Sequence, residues 1–132
     1  MQLSGILLID DDVEDLQFLS DALNAHGVEK INCVSSAREA FTYLEKAVEE
    51  NNLPSLIVTD HYLRDIPGTQ FISDLAVIPA YKHIPIMVLS TQGSPGDKEK
   101  YRSMGVVEFV IKPSDYEVYL QIAAGIKERL KK

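Results

Sequence analysis

An α/β domain built on one doubly wound parallel sheet is the fold that this 132-residue sequence predicts, and three features predict it. Short apolar runs alternate with stretches of helical spacing five times along the chain. Most of those runs are continuously apolar, the pattern of strands covered on both faces, as parallel sheets require. Right-handed crossovers between successive strands then place helices on both faces of a single sheet.

The first run, Leu3 to Ile9, stops at Asp10-Asp11-Asp12. Asp12 is placed to N-cap a helix with Asp15 at N3, and Leu16, Leu19, Ala22 and Leu23 recur at helical spacing up to Gly27, a C′ stop. Ile31 to Val34 is a short second strand. Ser36-Ala37-Arg38-Glu39 then reads as a capping-box start, with Ala37, Ala40, Phe41, Leu44 and Val48 along one face until Asn51-Asn52. Leu56 to Thr59 is the third strand, and the loop from Asp60 to Gly68 is longer than the other turns. Phe71, Ile72, Leu75 and Ile78 form the third helical face, closed by Pro79. Ile84 to Leu89 is the fourth strand, and Ser94-Pro95-Gly96-Asp97 starts a short helix ending at Gly105, with Tyr101 and Met104 inward. Val106 to Ile111 is the fifth strand. Tyr119, Ile122, Ala123, Ile126 and Leu130 stripe a last helix that begins near Ser114.

Five strand and helix units of this kind fit the flavodoxin-like (βα)5 winding, strand order 2-1-3-4-5, whose crevice opens between strands one and three. The length suits one domain over 1–132 that folds without metal or disulfide staples. The single Cys33 is expected to be buried and inert within the second strand. No apolar run approaches the roughly 20 residues that span a bilayer, and the start lacks the basic residues and cleavage site of a signal peptide. No membrane insertion and a cytoplasmic location are therefore expected. Thirteen basic against twenty acidic residues give a charge of −7, which repels phosphate backbones and argues against direct nucleic-acid binding. The basic cluster Lys127, Arg129, Lys131 and Lys132 is a solvated helix C-terminus.

Chemistry is expected at Asp60, because a buried strand delivers this carboxylate to its C-terminal tip, where open α/β sheets build their sites. Asp10-Asp11 end the first strand, Ser90-Thr91 the fourth and Lys112-Pro113 the fifth. In one parallel sheet these groups converge on a crevice that suits Asp60 as acceptor of a phosphoryl group. Carboxylates crowded there repel one another unless a hard cation joins them, and Mg²⁺ accepts a few carboxylates together with phosphate oxygens. Lys112 is expected to hold a phosphoryl oxygen and Ser90 to donate to the same oxygen. His61 reads as exposed, without metal-ligand spacing to His26 or His83. A calcium loop from Asp10 fails, since its sixth and twelfth positions are Asp15 and Asp21 rather than Gly and Glu. A dehalogenase-type phosphatase pattern fails too, because Asp10-x-Asp12 is followed by Glu14.

Asp10-Asp11, Asp60, Ser90 and Lys112-Pro113, in this order after strands one, three, four and five, resemble the receiver domain of response regulators over essentially the whole chain. The resemblance implies that Asp60 is the phospho-acceptor and that Asp11, Asp60 and the Tyr62 carbonyl bind Mg²⁺, with Asp10 acting mainly through water. It implies a Lys112–phosphoryl pair and a switch made of Ser90 and Phe109. Two positions depart from the pattern: Arg64 stands where many receivers have proline, and Phe109 where many have tyrosine. With nothing after Lys132, a single receiver domain without an output domain is expected, resembling stand-alone chemotaxis regulators.

The implied partners are a histidine kinase or phosphotransfer protein as donor and a downstream protein as target. Self-phosphorylation and self-dephosphorylation are expected without turnover of an external substrate. The competing readings are a non-phosphorylated interaction module and a small aspartyl-phosphate phosphatase. Two finer expectations follow from the same residues. A cis Lys112-Pro113 bond would aim the ammonium over the strand tips. A surface of the fourth helix, fifth strand and fifth helix, on or beside which Tyr101, Val107 and Tyr119 lie, would carry the output.

Overall fold

The computed structural model describes residues 5–130. The predicted start of the first strand at Leu3, and Lys131 and Lys132 of the basic cluster, lie outside them. Ten elements alternate: β1 (Ile6–Ile9), α1 (Val13–Ala25), β2 (Ile31–Val34), α2 (Ala37–Glu49), β3 (Leu56–Thr59), α3 (Gly68–Ala76), β4 (Ile86–Ser90), α4 (Pro95–Ser103), β5 (Glu108–Ile111) and α5 (Tyr116–Leu130). All four neighbouring pairs are parallel, and the strand order is β2-β1-β3-β4-β5. This is the predicted winding.

The alternation of side chains along each strand divides the interior into two cores. Leu7, Ile9, Ile57 and Val88 point to the face covered by Ala40 and Leu44 of α2, Phe71 and Leu75 of α3, and Tyr101 of α4. Ile6, Leu8, Leu56, Val58, Met87 and Leu89 point to the other face, under Leu19 and Leu23 of α1 and Ala123 and Ile126 of α5. β1 and β3 are buried at every position, which is why their sequences, apart from Thr59, are apolar rather than alternating. Each fully buried Leu or Ile contributes about 1.5–3 kcal/mol, so the central strands hold the frame rigidly beneath the strand tips.

The helix starts follow the sequence chemistry. Asp12 caps α1 by accepting the N–H groups of Glu14 and Asp15, and Gly27 takes the left-handed φ of +85° just after that helix. Ser94 and Asp97 make a full capping box on α4. At α2 the box is offset: Ser36 Oγ accepts the Glu39 N–H, but the Glu39 carboxylate takes the N–H and hydroxyl of Ser35 instead of reaching Ser36. Val48 is 40% exposed, and Ala47 occupies the buried position. Cys33 is exposed, not buried, because β2 is an edge strand whose outer side has no neighbour.

Candidate functional site

Sheet register assembles the site. Ile9 stands opposite Thr59, so the next residues, Asp10 and Asp60, leave adjacent strands side by side, with the Asp60 N–H donating to the Ile9 carbonyl at 3.0 Å. Ser90 stands opposite Ile111, and the Lys112 N–H donates to the Ser90 carbonyl at 2.6 Å. From the end of β5 the Lys112 side chain passes over β4 to the acids of β3 and β1. Its ammonium lies 2.6 Å from Asp10, 2.8 Å from Asp15 and 3.3 Å from Asp60, with 4% of the side chain exposed.

Carboxylate oxygens of Asp10, Asp11 and Asp60 lie within 4.8 Å of one another, a spacing and a donor set that fit a hard divalent cation. The acids are not equivalent. Asp10 and Asp60 are buried, and Asp11 is exposed at the mouth. Asp10 accepts the Asp12 N–H at 2.9 Å, and Asp60 accepts the His61 N–H at 2.7 Å. Burial pushes the Asp10 carboxyl up to about 6, against the opposing hydrogen bond from Lys112. Burial alone would lower Lys112, but its hydrogen bonds to Asp10 and Asp15 outweigh that and hold the ammonium above its ordinary range. One cation faces more negative charge than it can balance.

Asp15 is the site residue that sequence reading assigned elsewhere, to the first turn of α1. It lies four residues before the buried Leu19, on the inward stripe of the helix, and an acid on an apolar stripe is the signal that it has a buried partner. Its second oxygen receives a long hydrogen bond, 3.5 Å, from the Tyr119 hydroxyl. Tyr119 and Tyr101 are both core residues, 3% and 1% exposed, so neither lies on the outer surface; Val107 does, at 41%.

Ser90 is buried at the tip of β4, but its hydroxyl donates to the Gln92 carbonyl at 3.0 Å rather than into the acid cluster. Phe109 is half-buried, stacks on Tyr101 at 5.5 Å between ring centroids, and fills the space beside Gly93, where a Cβ would meet its ring edge at 2.4 Å. The Tyr62 side chain is 57% exposed and meets the His61 ring edge-on. His61 is part-buried, against expectation, because its Nδ1 shares a short hydrogen bond with the buried Tyr101 hydroxyl. No described peptide bond is cis, so Lys112-Pro113 is trans. The length of the lysine side chain does the reaching that a cis turn was invoked for.

Residues 6–124 match the response regulator receiver domain family. Among curated proteins, response regulator Rre1 of Synechocystis is 27% identical over 84% of this chain and 46% of its own length, so the chain spans under half of that relative. Among solved structures, a phosphorylated cyanobacterial phytochrome response regulator, RcpA, superposes with a TM-score of 0.85 at 27% identity, covering 99% of this chain and 96% of the other. The Mn²⁺-bound form of response regulator Rcp1 shares the fold, with a TM-score of 0.83 at 22% identity over 98% and 96% of the two chains.

Proposed function

The chain belongs to the response regulator receiver domain family of two-component signalling, and on that premise we propose that Asp60 accepts a phosphoryl group and that the modified domain alters its binding to a protein partner. One observation supports the reading: the carboxylate at the tip of β3 lies beside a buried ammonium and within 4.8 Å of two further acids, a concentration of charge at one end of the sheet. The donor is the phosphohistidine of a histidine kinase or phosphotransfer protein. A carboxylate oxygen of Asp60 forms a bond to phosphorus, the phosphorus–nitrogen bond breaks, and the departing imidazole nitrogen takes up a proton. Phosphoryl transfer asks mainly for positioning and charge neutralisation.

Asp10, Asp11, Asp60 and the carbonyl of Tyr62 are the groups that would hold Mg²⁺. When bound, that ion supplies the positive charge that the phosphoryl oxygens and the crowded acids lack. The His61 N–H fixes one Asp60 oxygen, and Lys112 neutralises the incoming phosphoryl group while Asp10 and Asp15 orient its ammonium. The Ser90 hydroxyl exchanges the Gln92 carbonyl for a phosphoryl oxygen, and Phe109 responds from the next strand. A cytoplasmic location and the absence of direct nucleic-acid contact agree with the acidic charge and with the lack, among the described residues, of any helix long and apolar enough to cross a membrane.

Incubation with acetyl phosphate and Mg²⁺, followed by intact mass, tests the assignment. One phosphoryl mass on the wild type, absent from Asp60→Asn, is the expected result. Full incorporation in the variant refutes it.

A further inference from the structure

Asp65 lies on the loop between β3 and α3, five residues after Asp60, and none of the chemistry above uses it. Its side chain is exposed, yet both oxygens are engaged with backbone. Oδ1 accepts the N–H of Ala37 at 3.0 Å and of Ile66 at 3.1 Å, and Oδ2 accepts the N–H of Arg38 at 2.9 Å. Ala37 and Arg38 open α2, and the next amide, Glu39, is taken by Ser36 Oγ at 3.1 Å. The unsatisfied donors of one helix turn are thus shared between a local cap and a carboxylate 28 residues further along the chain. Burial works against ionising Asp65, but the N–H groups of Arg38 and Ala37 overcome it and hold the carboxyl below its ordinary range.

Leu63 is a core residue and Ile66 packs against the same core, so packing holds the inner side of the loop and Asp65 supplies its polar tie. At its base it is closed by the Gly68 N–H donating to the His61 carbonyl at 2.8 Å and by a bridge between Tyr62 and Pro67. Gly68 is tight there, since a Cβ would meet the carbonyl oxygens of His61 and Asp60 at 2.8 and 2.9 Å. Between those closures Arg64 stands where a proline would stiffen the backbone, and Arg64 itself is exposed. Of the residues from Arg64 to Ile66, Asp65 makes the hydrogen bonds to another element.

We propose that Asp65 is a positioning residue: its carboxylate clamps the loop that carries Asp60 and Tyr62 to the first turn of α2, and so sets the geometry in which the acid cluster takes up metal and phosphoryl group. This rests on Asp60 being the phospho-acceptor. A loop pinned at its outer end has already lost the conformational freedom that metal binding would otherwise have to remove.

The test compares Asp65→Ala, Asp65→Asn and Ser36→Ala with the wild type. Ser36→Ala removes a cap from the same helix turn without touching the loop, so it controls for damage to α2. Calorimetric titration with Mg²⁺, amide hydrogen exchange over 61–66, and the rate of acetyl phosphate incorporation are the readouts, with circular dichroism to verify folding. Asp65→Ala is expected to weaken Mg²⁺ binding by up to about tenfold, the low end for loss of an outer partner, and to speed exchange in the loop. Its slower phosphorylation recovers at saturating Mg²⁺. Asp65→Asn falls between, because its amide nitrogen faces an N–H donor. Ser36→Ala binds Mg²⁺ as the wild type does. Equal Mg²⁺ affinity in Asp65→Ala and wild type, or an equal loss in Ser36→Ala, reduces Asp65 to a helix cap and overturns the proposal alone. A wild type that takes up neither Mg²⁺ nor phosphoryl group overturns the functional reading and this proposal with it.

Discussion

Replacing Asp11 by asparagine is expected to stabilise the metal-free protein while removing its response to Mg²⁺. The Asp11 carboxylate lies within 4.8 Å of those of Asp10 and Asp60, whereas the hydrogen bonds of Lys112 go to Asp10, Asp15 and Asp60. Two unit charges at that separation repel by about 1 kcal/mol in water and by about 3–4 kcal/mol at an effective dielectric of 20. Asp11 is exposed, so the watery limit governs, and attraction to Lys112 offsets part of the repulsion. A net gain of up to about 1 kcal/mol remains, or about 0.5 M in the urea midpoint for an ordinary m-value. The assay is urea unfolding followed by circular dichroism in EDTA at low salt. Raising the salt should shrink the gain, because exposed charges are screened. With Mg²⁺ at about ten times its Kd, the wild type gains about 1.4 kcal/mol by mass action and the variant almost nothing, so the two curves converge. An Asn variant that is less stable in EDTA, or that keeps the full Mg²⁺ gain, refutes the view that these acids are held together at a cost until a cation arrives.

Asp60→Asn should fold and unfold as a native-like protein yet take up no phosphoryl group, because the amide is nearly isosteric but not a nucleophile; intact mass and urea unfolding read the two halves. The buried Tyr101 hydroxyl, pushed up from 10.0 to about 12 by burial and by the charges of Asp97, Asp60 and Tyr62, gives a signed pH dependence. Between those values the native state keeps a proton that the unfolded chain has released, so stability falls as pH rises from 10 to 12, by about 3 kcal/mol from this group. Tyr101→Phe should lose correspondingly less over that window in chemical unfolding, and parallel curves for variant and wild type would exclude the assignment. Beryllofluoride, a phosphoryl mimic, should move the backbone amide resonances of Phe109 and of α4 in the wild type and much less in Ser90→Ala. Shifts confined to the Asp60 loop would place the output elsewhere.

Much of this was legible in the sequence because parallel sheets write themselves plainly. β1 is apolar at each position, β3 at all but Thr59, and both are followed by acids; once their order is known Ile9 and Thr59 fall opposite each other, which puts Asp10 beside Asp60. Local chemistry was legible too, as in the Asp12 cap and the Ser94 and Asp97 box. What stayed hidden was tertiary. Asp15 looks like an ordinary first-turn acid until a lysine from 97 residues away lands on it. The Asp65 clamp joins a loop to a helix start with no sequence pattern linking them. His61 has no ligand spacing, and its partner, Tyr101, comes from another element. Cys33 was misjudged because an apolar-looking run says nothing about whether its strand lies at the edge of the sheet.

The same arrangement explains why the site and the frame can be so different in character. The two cores are apolar clusters, while the tips gather three acids around one ammonium with a fourth, Asp11, close to two of them, a local conflict that the frame has to bear. On the proposed function, a ligand that brings positive charge would relieve that conflict before a phosphoryl group enters, which would link metal uptake and phosphorylation through the charge balance of one pocket. Among the links from the pocket to the rest of the molecule are Ser90 toward Gln92, His61 toward Tyr101, and Asp65 toward α2, beside the contact of Asp15 with Tyr119 of α5. The first two end near Phe109, since Gly93 and Tyr101 both pack on its ring, so a change at Asp60 has two routes to the β5 surface. The third leads away from that surface and fixes the loop.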